Sequence, residues 1–206
     1  MRRNMLLFAL LAACGGSADD EGAGPIDARA VAIDAAVEAT PVCGVSTPDF
    51  GSLGTRPGTA TWQGSPGRPG VGLGELYIPL EADAEPDQLY ISMWGGTPTL
   101  PDAIVAGTYP LTGNQLELQT CSMCVTIGAD WAPGAAAPFD HVYMATGGTV
   151  VISAIDGQPG GVFEISFSNL TFGHAEVRGT TTQLNDGCTT AISDVAFTGR
   201  FEGGKQ

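Results

Sequence analysis

The sequence predicts an all-β fold, an antiparallel β-sandwich with a β-barrel as the alternative. Three observations lead there. Apolar residues recur at every second position through much of the chain, the period of half-buried strands. Turn-forming pairs break these stretches at short intervals, among 30 glycines and 14 prolines. No stretch of ten or more residues carries an amphipathic helical pattern. Many short strands with regular turn signals mark a sandwich or a barrel.

Along the chain, Thr59 to Gln63 and Val71 to Leu80 are the first strand candidates. Leu89, Ile91 and Met93 then alternate with Tyr90, Ser92 and Trp94. Gln115 to Ile127 and Phe139 to Thr146 alternate less regularly. Thr149 to Ile155 is β-branched and apolar on both faces, as expected of a strand buried in the core. Val162 to Thr171 is the clearest case: Phe163, Ile165 and Phe167 share one face, and Glu164, Ser166 and Ser168 take the other. Ala175 and Val177 oppose His174, Glu176 and Arg178, which places His174 on an exposed polar face. Val195, Phe197 and Phe201 oppose Asp194, Thr198, Arg200 and Glu202. Turns are expected at Gly95-Gly96, Gly113-Asn114, Gly147-Gly148, Asp156-Gly157, Gly160-Gly161 and Asp186-Gly187. No internal repeat is present.

Residues 43–206 make one domain of 164 residues. At that size about 70% of the unfolded surface is buried, so an ordinary core forms without metal or cofactor. Ahead of it, residues 15–40 lack a core pattern: six acidic residues face only Arg29, and Gly and Ala fill most of the rest. This segment reads as a disordered tether. About 28 residues of random coil span roughly 30 Å.

The chain begins with Arg2 and Arg3, then an apolar run from Met5 to Ala13. A membrane-spanning helix needs about 20 apolar residues, so this run is too short to be one. Its basic, apolar and small-residue layout is that of an export signal. Leu11-Ala12-Ala13-Cys14, followed by Gly15 and Gly16, resembles the lipobox of bacterial lipoproteins. That resemblance implies residues 1–13 as a cleaved signal peptide. It also implies Cys14 as a lipidated residue carrying diacylglycerol and, in many bacteria, a further acyl chain such as palmitate. Residues 14–42 are then the anchor and tether. Short acidic Asp-Ala tethers after Cys-Gly-Gly resemble those of lipoproteins from myxobacteria-type Gram-negative bacteria. Inner-membrane retention in such families uses Asp after the cysteine. Gly15 therefore implies the outer membrane and leaves its periplasmic and outer faces undistinguished.

The formal charge is −14, and loss of Arg2 and Arg3 takes it from −14 to −16. Nucleic-acid affinity comes from Lys and Arg contacts with phosphate, so nucleic acid is excluded as a partner. Anionic lipid headgroups are disfavoured for the same reason. A cationic group, a divalent cation or a neutral glycan stays open.

Setting Cys14 aside, Cys43, Cys121, Cys124 and Cys188 remain, as for two disulfides in an exported protein. Cys121-Ser122-Met123-Cys124 has the spacing of a redox pair, but that chemistry wants a helix N-terminus or a nearby cation. Strand-like sequence surrounds the motif instead, and the second pair that zinc would need is missing. A structural crosslink is the expected role. In an unbroken strand the two thiols point to opposite faces, so each is expected to reach one of the distant cysteines, Cys43 and Cys188. The competing pairing, Cys121 with Cys124 and Cys43 with Cys188, needs a local turn.

Glu81, Asp83, Glu85 and Asp87 alternate in one loop and are candidate calcium ligands. They lack the EF-hand glycine and terminal glutamate, and a solvated acidic loop is the simpler reading. His141 is expected to be half buried beside Phe139 or Tyr143. No Gly-x-Ser-x-Gly elbow occurs, and no carboxylate pair stands out among 22 acidic residues, so the reading leans away from an enzyme. Asn169-Leu170-Thr171 matches a glycosylation acceptor by chance. Trp62, Trp94 and Trp131 lie by glycine- and proline-rich loops, where aromatics cap a core or stack on sugars and partner proteins. The expected protein is an outer-membrane-anchored envelope lipoprotein with a structural, adhesive or ligand-binding role toward an envelope protein or glycan. A calcium-dependent module and a secreted hydrolase are the alternatives.

Overall fold

The computed structural model describes residues 43–65, 68–96, 103–131, 141–177 and 181–203. The segments expected to be the signal peptide and the tether, with Cys14, lie outside the described residues. The elements are β1 (Ser52–Thr55), β2 (Thr59–Ser65), β3 (Arg68–Pro79), β4 (Gln88–Trp94), β5 (Gly107–Pro110), a 3-10 turn (Gly113–Leu116), β6 (Met123–Ala129), β7 (His141–Ile155), β8 (Val162–Val177), β9 (Thr181–Gln183) and β10 (Thr189–Gly203). The all-β expectation is met. Among the described residues, no helix is long and apolar enough to cross a membrane.

The ladders run β2–β3–β4–β6–β7–β8–β10 and close on themselves, because β10 also pairs with β2. β10 uses Thr189–Arg200 against β8 and Phe201–Gly203 against β2. That closure gives the fold a barrel character. β1 adds to β10, β5 to β7 and β9 to β8. The pairings are antiparallel except those of β10 with β1 and β2, so the sheet is mixed.

Alternation decides what fills the interior. Leu76 and Ile78 of β3, Leu89, Ile91 and Met93 of β4, and Val125 and Ile127 of β6 point inward and are fully buried. Phe163, Ile165 and Phe167 of β8 do so as well. Phe163 stacks on Phe201 with centroids 4.5 Å apart, and Trp62 lies 5.2 Å from Phe201, so three strands meet in one aromatic cluster. Outside the barrel, Cys121, Cys124, Met144 and Ala175 form a second, smaller apolar cluster, with Leu118 against it.

Gly147-Gly148 is not a turn. β7 runs through it as a bulge, with register shifts on both sides of Gly147. Gly148 has φ +131, and a Cβ there would lie 2.6 Å from Leu170 Cδ2. Across the ladder, Asn169 sits at φ +52. An extra residue in a strand flips the faces beyond it. The inward positions of β8 therefore change from Phe163, Ile165 and Phe167 to Leu170 and Phe172.

The cysteines pair as Cys43–Cys188 and Cys121–Cys124, not as Cys121 and Cys124 each with a distant partner. The expectation failed because it placed both thiols in one strand. Residues 117–122 form turns, and β6 begins only at Met123. With Cys121 in a turn, its Cα comes within 5.3 Å of that of Cys124, a bridging distance.

Candidate functional site

Two places gather functional side chains. The first is on the outer face of β2, β3 and β4. With Leu76, Ile78, Leu89 and Ile91 inside, Glu75, Tyr77 and Pro79 of β3 and Gln88 and Tyr90 of β4 must face outward. The register sets Tyr77 opposite Tyr90 and Pro79 opposite Gln88. Tyr77 stacks on Tyr90 at 4.7 Å and on Trp131 at 6.4 Å, with planes 21° apart in the second pair. Glu75 Oε1 accepts a 2.7 Å hydrogen bond from the Tyr90 hydroxyl. Burial raises the phenol pKa of both tyrosines, and the Glu75 charge adds to it, so both are neutral donors at physiological pH.

Trp131 is placed by the acidic loop. Asp87 is 2% exposed; its Oδ1 accepts the Asp130 N–H and its Oδ2 the Ser46 N–H. Asp130 takes φ +52, one of two non-glycine residues at positive φ among the described residues. Asp tolerates that conformation better than most residues, though at some strain. The Trp131 N–H then bonds the Pro86 carbonyl, and the indole lies over Tyr77. Glu81 accepts the Asp87 N–H and the Ser46 hydroxyl. Its pKa is raised, first by burial, then by the charges of Asp87, Asp83 and Asp130. Asp83 and Glu85 are exposed. The four candidate calcium ligands are therefore not gathered: two brace the backbone and two face solvent.

Tyr77 and Trp131 wall a groove of about 490 Å³, also lined by Pro57, Thr59, Pro79 and Gln88. Gln88 is 2% exposed, and its Oε1 has no hydrogen-bond partner among the described residues. Nε of Arg56 is in the same state, while its Nη2 donates to the Pro79 and Leu80 carbonyls. Unsatisfied buried polar atoms are rare, because each costs about 1–3 kcal/mol. Of the two residues, Gln88 lines the groove.

Of the three tryptophans, only Trp131 lies in this groove. Trp62 is a core residue, 2% exposed, and Trp94 is 45% exposed at the end of β4. The alternation of β3 and β4 could have flagged Tyr77 and Tyr90 as outward aromatics. No sequence signal pointed to Gln88.

The second place is one mouth of the barrel. Tyr143 pairs with His174 across β7 and β8, and Ala145 with Phe172, so His174 faces the core side. It is not on an exposed face as expected: its side chain is 12% exposed. The Asn169 bulge explains the error, because the phase read from Phe163 to Phe167 is inverted beyond it. His174 Nδ1 lies 2.5 Å from Asp186 Oδ2, and its Nε2 lies 3.1 Å from His141 Nδ1. The hydrogen bond from His174 holds the Asp186 carboxyl below the usual range. Tyr143 stacks on His174 at 5.1 Å, and its hydroxyl donates to the Cys43 carbonyl. Burial, then the Asp186 charge, pushes the Tyr143 phenol up to about 12. Cys188 Sγ also lies near His174 and Asp186, but it is bonded to Cys43 and offers no thiolate.

Compared with protein-family models, with curated proteins and with solved structures, the chain matches none.

Proposed function

We propose that this protein is a lipid-anchored lipoprotein of the outer membrane whose β-domain binds a neutral glycan in the Tyr77–Trp131 groove. The observation that carries the reading is the aromatic wall of Tyr77 and Trp131 along a groove that Gln88 also lines. Sugar rings present apolar C–H faces that stack on aromatic planes, and hydroxyls that hydrogen-bond polar groups along a groove. Gln88 lines the groove beside the aromatic wall and places an amide there. A strongly acidic chain repels anionic polymers, which favours an uncharged ligand.

Titration with neutral β-linked oligomers of glucose or N-acetylglucosamine tests the binding reading. Trp131→Ala removes the stacking plane and is expected to weaken binding roughly 30-fold, about 2 kcal/mol for a central aromatic. Trp94→Ala is expected to leave it unchanged. Equal affinity for wild type and Trp131→Ala would reject the groove.

The anchor reading rests on Leu11 to Cys14 and has its own test. Cys14→Ser is expected to abolish acyl labelling and leave uncleaved precursor in the membrane fraction. Normal processing and palmitate incorporation in that variant would reject it.

A further inference from the structure

We propose that His141 and His174 form a binding site for one divalent transition-metal ion, with His141 Nδ1 and His174 Nε2 as the protein ligands. These two nitrogens lie 3.1 Å apart. Two imidazole nitrogens bound tetrahedrally to one zinc ion, each at about 2.0–2.1 Å, lie about 3.4 Å apart. The separation is thus within a few tenths of an ångström of that of a chelating pair, and a turn of the rings brings both lone pairs onto one ion.

The surroundings are those of a metal-binding histidine. Ligand histidines direct their second ring nitrogen at a carboxylate, which fixes the ring and raises its basicity. His174 Nδ1 meets Asp186 Oδ2 in that way, and Asp186 Oδ1 is itself held by the Cys188 N–H at 2.9 Å. Asp186 therefore accepts a hydrogen bond from the Nδ1–H of His174, the tautomer that leaves a lone pair on Nε2. In the metal-free pair, His141 Nδ1 donates to that lone pair. Binding moves the His141 proton to its Nε2, frees Nδ1 for the ion, and leaves the net proton count unchanged.

Both rings are packed against neighbours before any ion arrives. Tyr143 stacks on His174. Gly44 packs so closely on His141 that a Cβ there would come 2.3 Å from Cδ2 of the ring. The Cys43–Cys188 bond ties together the loop segments that carry Gly44 and Asp186. Imidazole donors select zinc, copper or nickel over calcium and magnesium. Water or a ligand group completes the coordination.

The test is titration of the full-length protein with Zn2+ and Cu2+ near pH 7, with electron paramagnetic resonance of the Cu2+ form. One ion per chain is expected, with hyperfine coupling to two nitrogens. His141→Gln is expected to weaken binding at least 100-fold and reduce the coupling to one nitrogen. Asp186→Asn is expected to weaken it 10- to 100-fold. The wild-type spectrum decides the matter even if a variant fails to fold. No binding by the folded wild type, no nitrogen coupling, or unchanged binding in folded His141→Gln would overturn the proposal and leave the pair as a hydrogen bond only.

Discussion

Replacing Cys43 and Cys188 together by Ala is expected to lower stability by about 5 kcal/mol in the loop-entropy model. The crosslink joins positions 145 residues apart and so constrains nearly the whole unfolded domain. Replacing Cys121 and Cys124, only three residues apart, is expected to remove about 2 kcal/mol by the same model. For a domain of this size, 1 kcal/mol shifts the melting temperature by about 2–4 °C, so the first variant melts roughly 10–20 °C lower. Thermal melts followed by circular dichroism check the ranking. The account fails if the short crosslink matters more than the long one.

Phe201→Ala is the second large effect, expected to destabilise by about 3–5 kcal/mol. Phe201 sits where β10 leaves β8 and joins β2, so it lies at the closure of the barrel. Its ring fills the space between Trp62 and Phe163, and its backbone bonds Gly160 and Gly161. Truncation leaves a cavity at the point where the sheet closes. Trp94→Ala, at an exposed position, is expected to change stability by no more than about 0.5 kcal/mol. Denaturant melts of the two variants compare them. Similar midpoints would mean that closure at Phe201 contributes little.

The strands that could be read from the sequence were those with several alternations in one phase, such as Phe163 to Phe167 and Leu89 to Met93. β1, β5 and β9 have three or four residues each and are too short to show a period. Gly147-Gly148 reads as a turn because a bulge and a turn use the same residue for the same reason, freedom at positive φ. The Asn169 irregularity carried the larger consequence, since it moved His174 from the outside to the mouth of the barrel. Leu116 and Leu118 extended an apparent strand back over Cys121, although they belong to a 3-10 turn and the bend after it. Trp131 stood out as an aromatic beside a loop. Its partners did not, because the Tyr77–Tyr90 stack depends on strand register, which alternation alone does not give. The acidic residues at 81–87 were visible as charges, but their use in bracing Asp130 depends on the fold.

The central claim is that the Tyr77–Trp131 face binds a neutral glycan. Three tryptophans give three indole N–H signals, and single substitutions assign them. Titration of the 15N-labelled protein with neutral β-linked hexose oligomers is predicted to shift the Trp131 indole signal saturably, while the buried Trp62 signal stays in place. If every glycan tested leaves Trp131 unmoved, or shifts only Trp94, the groove is not the binding site and the account is contradicted.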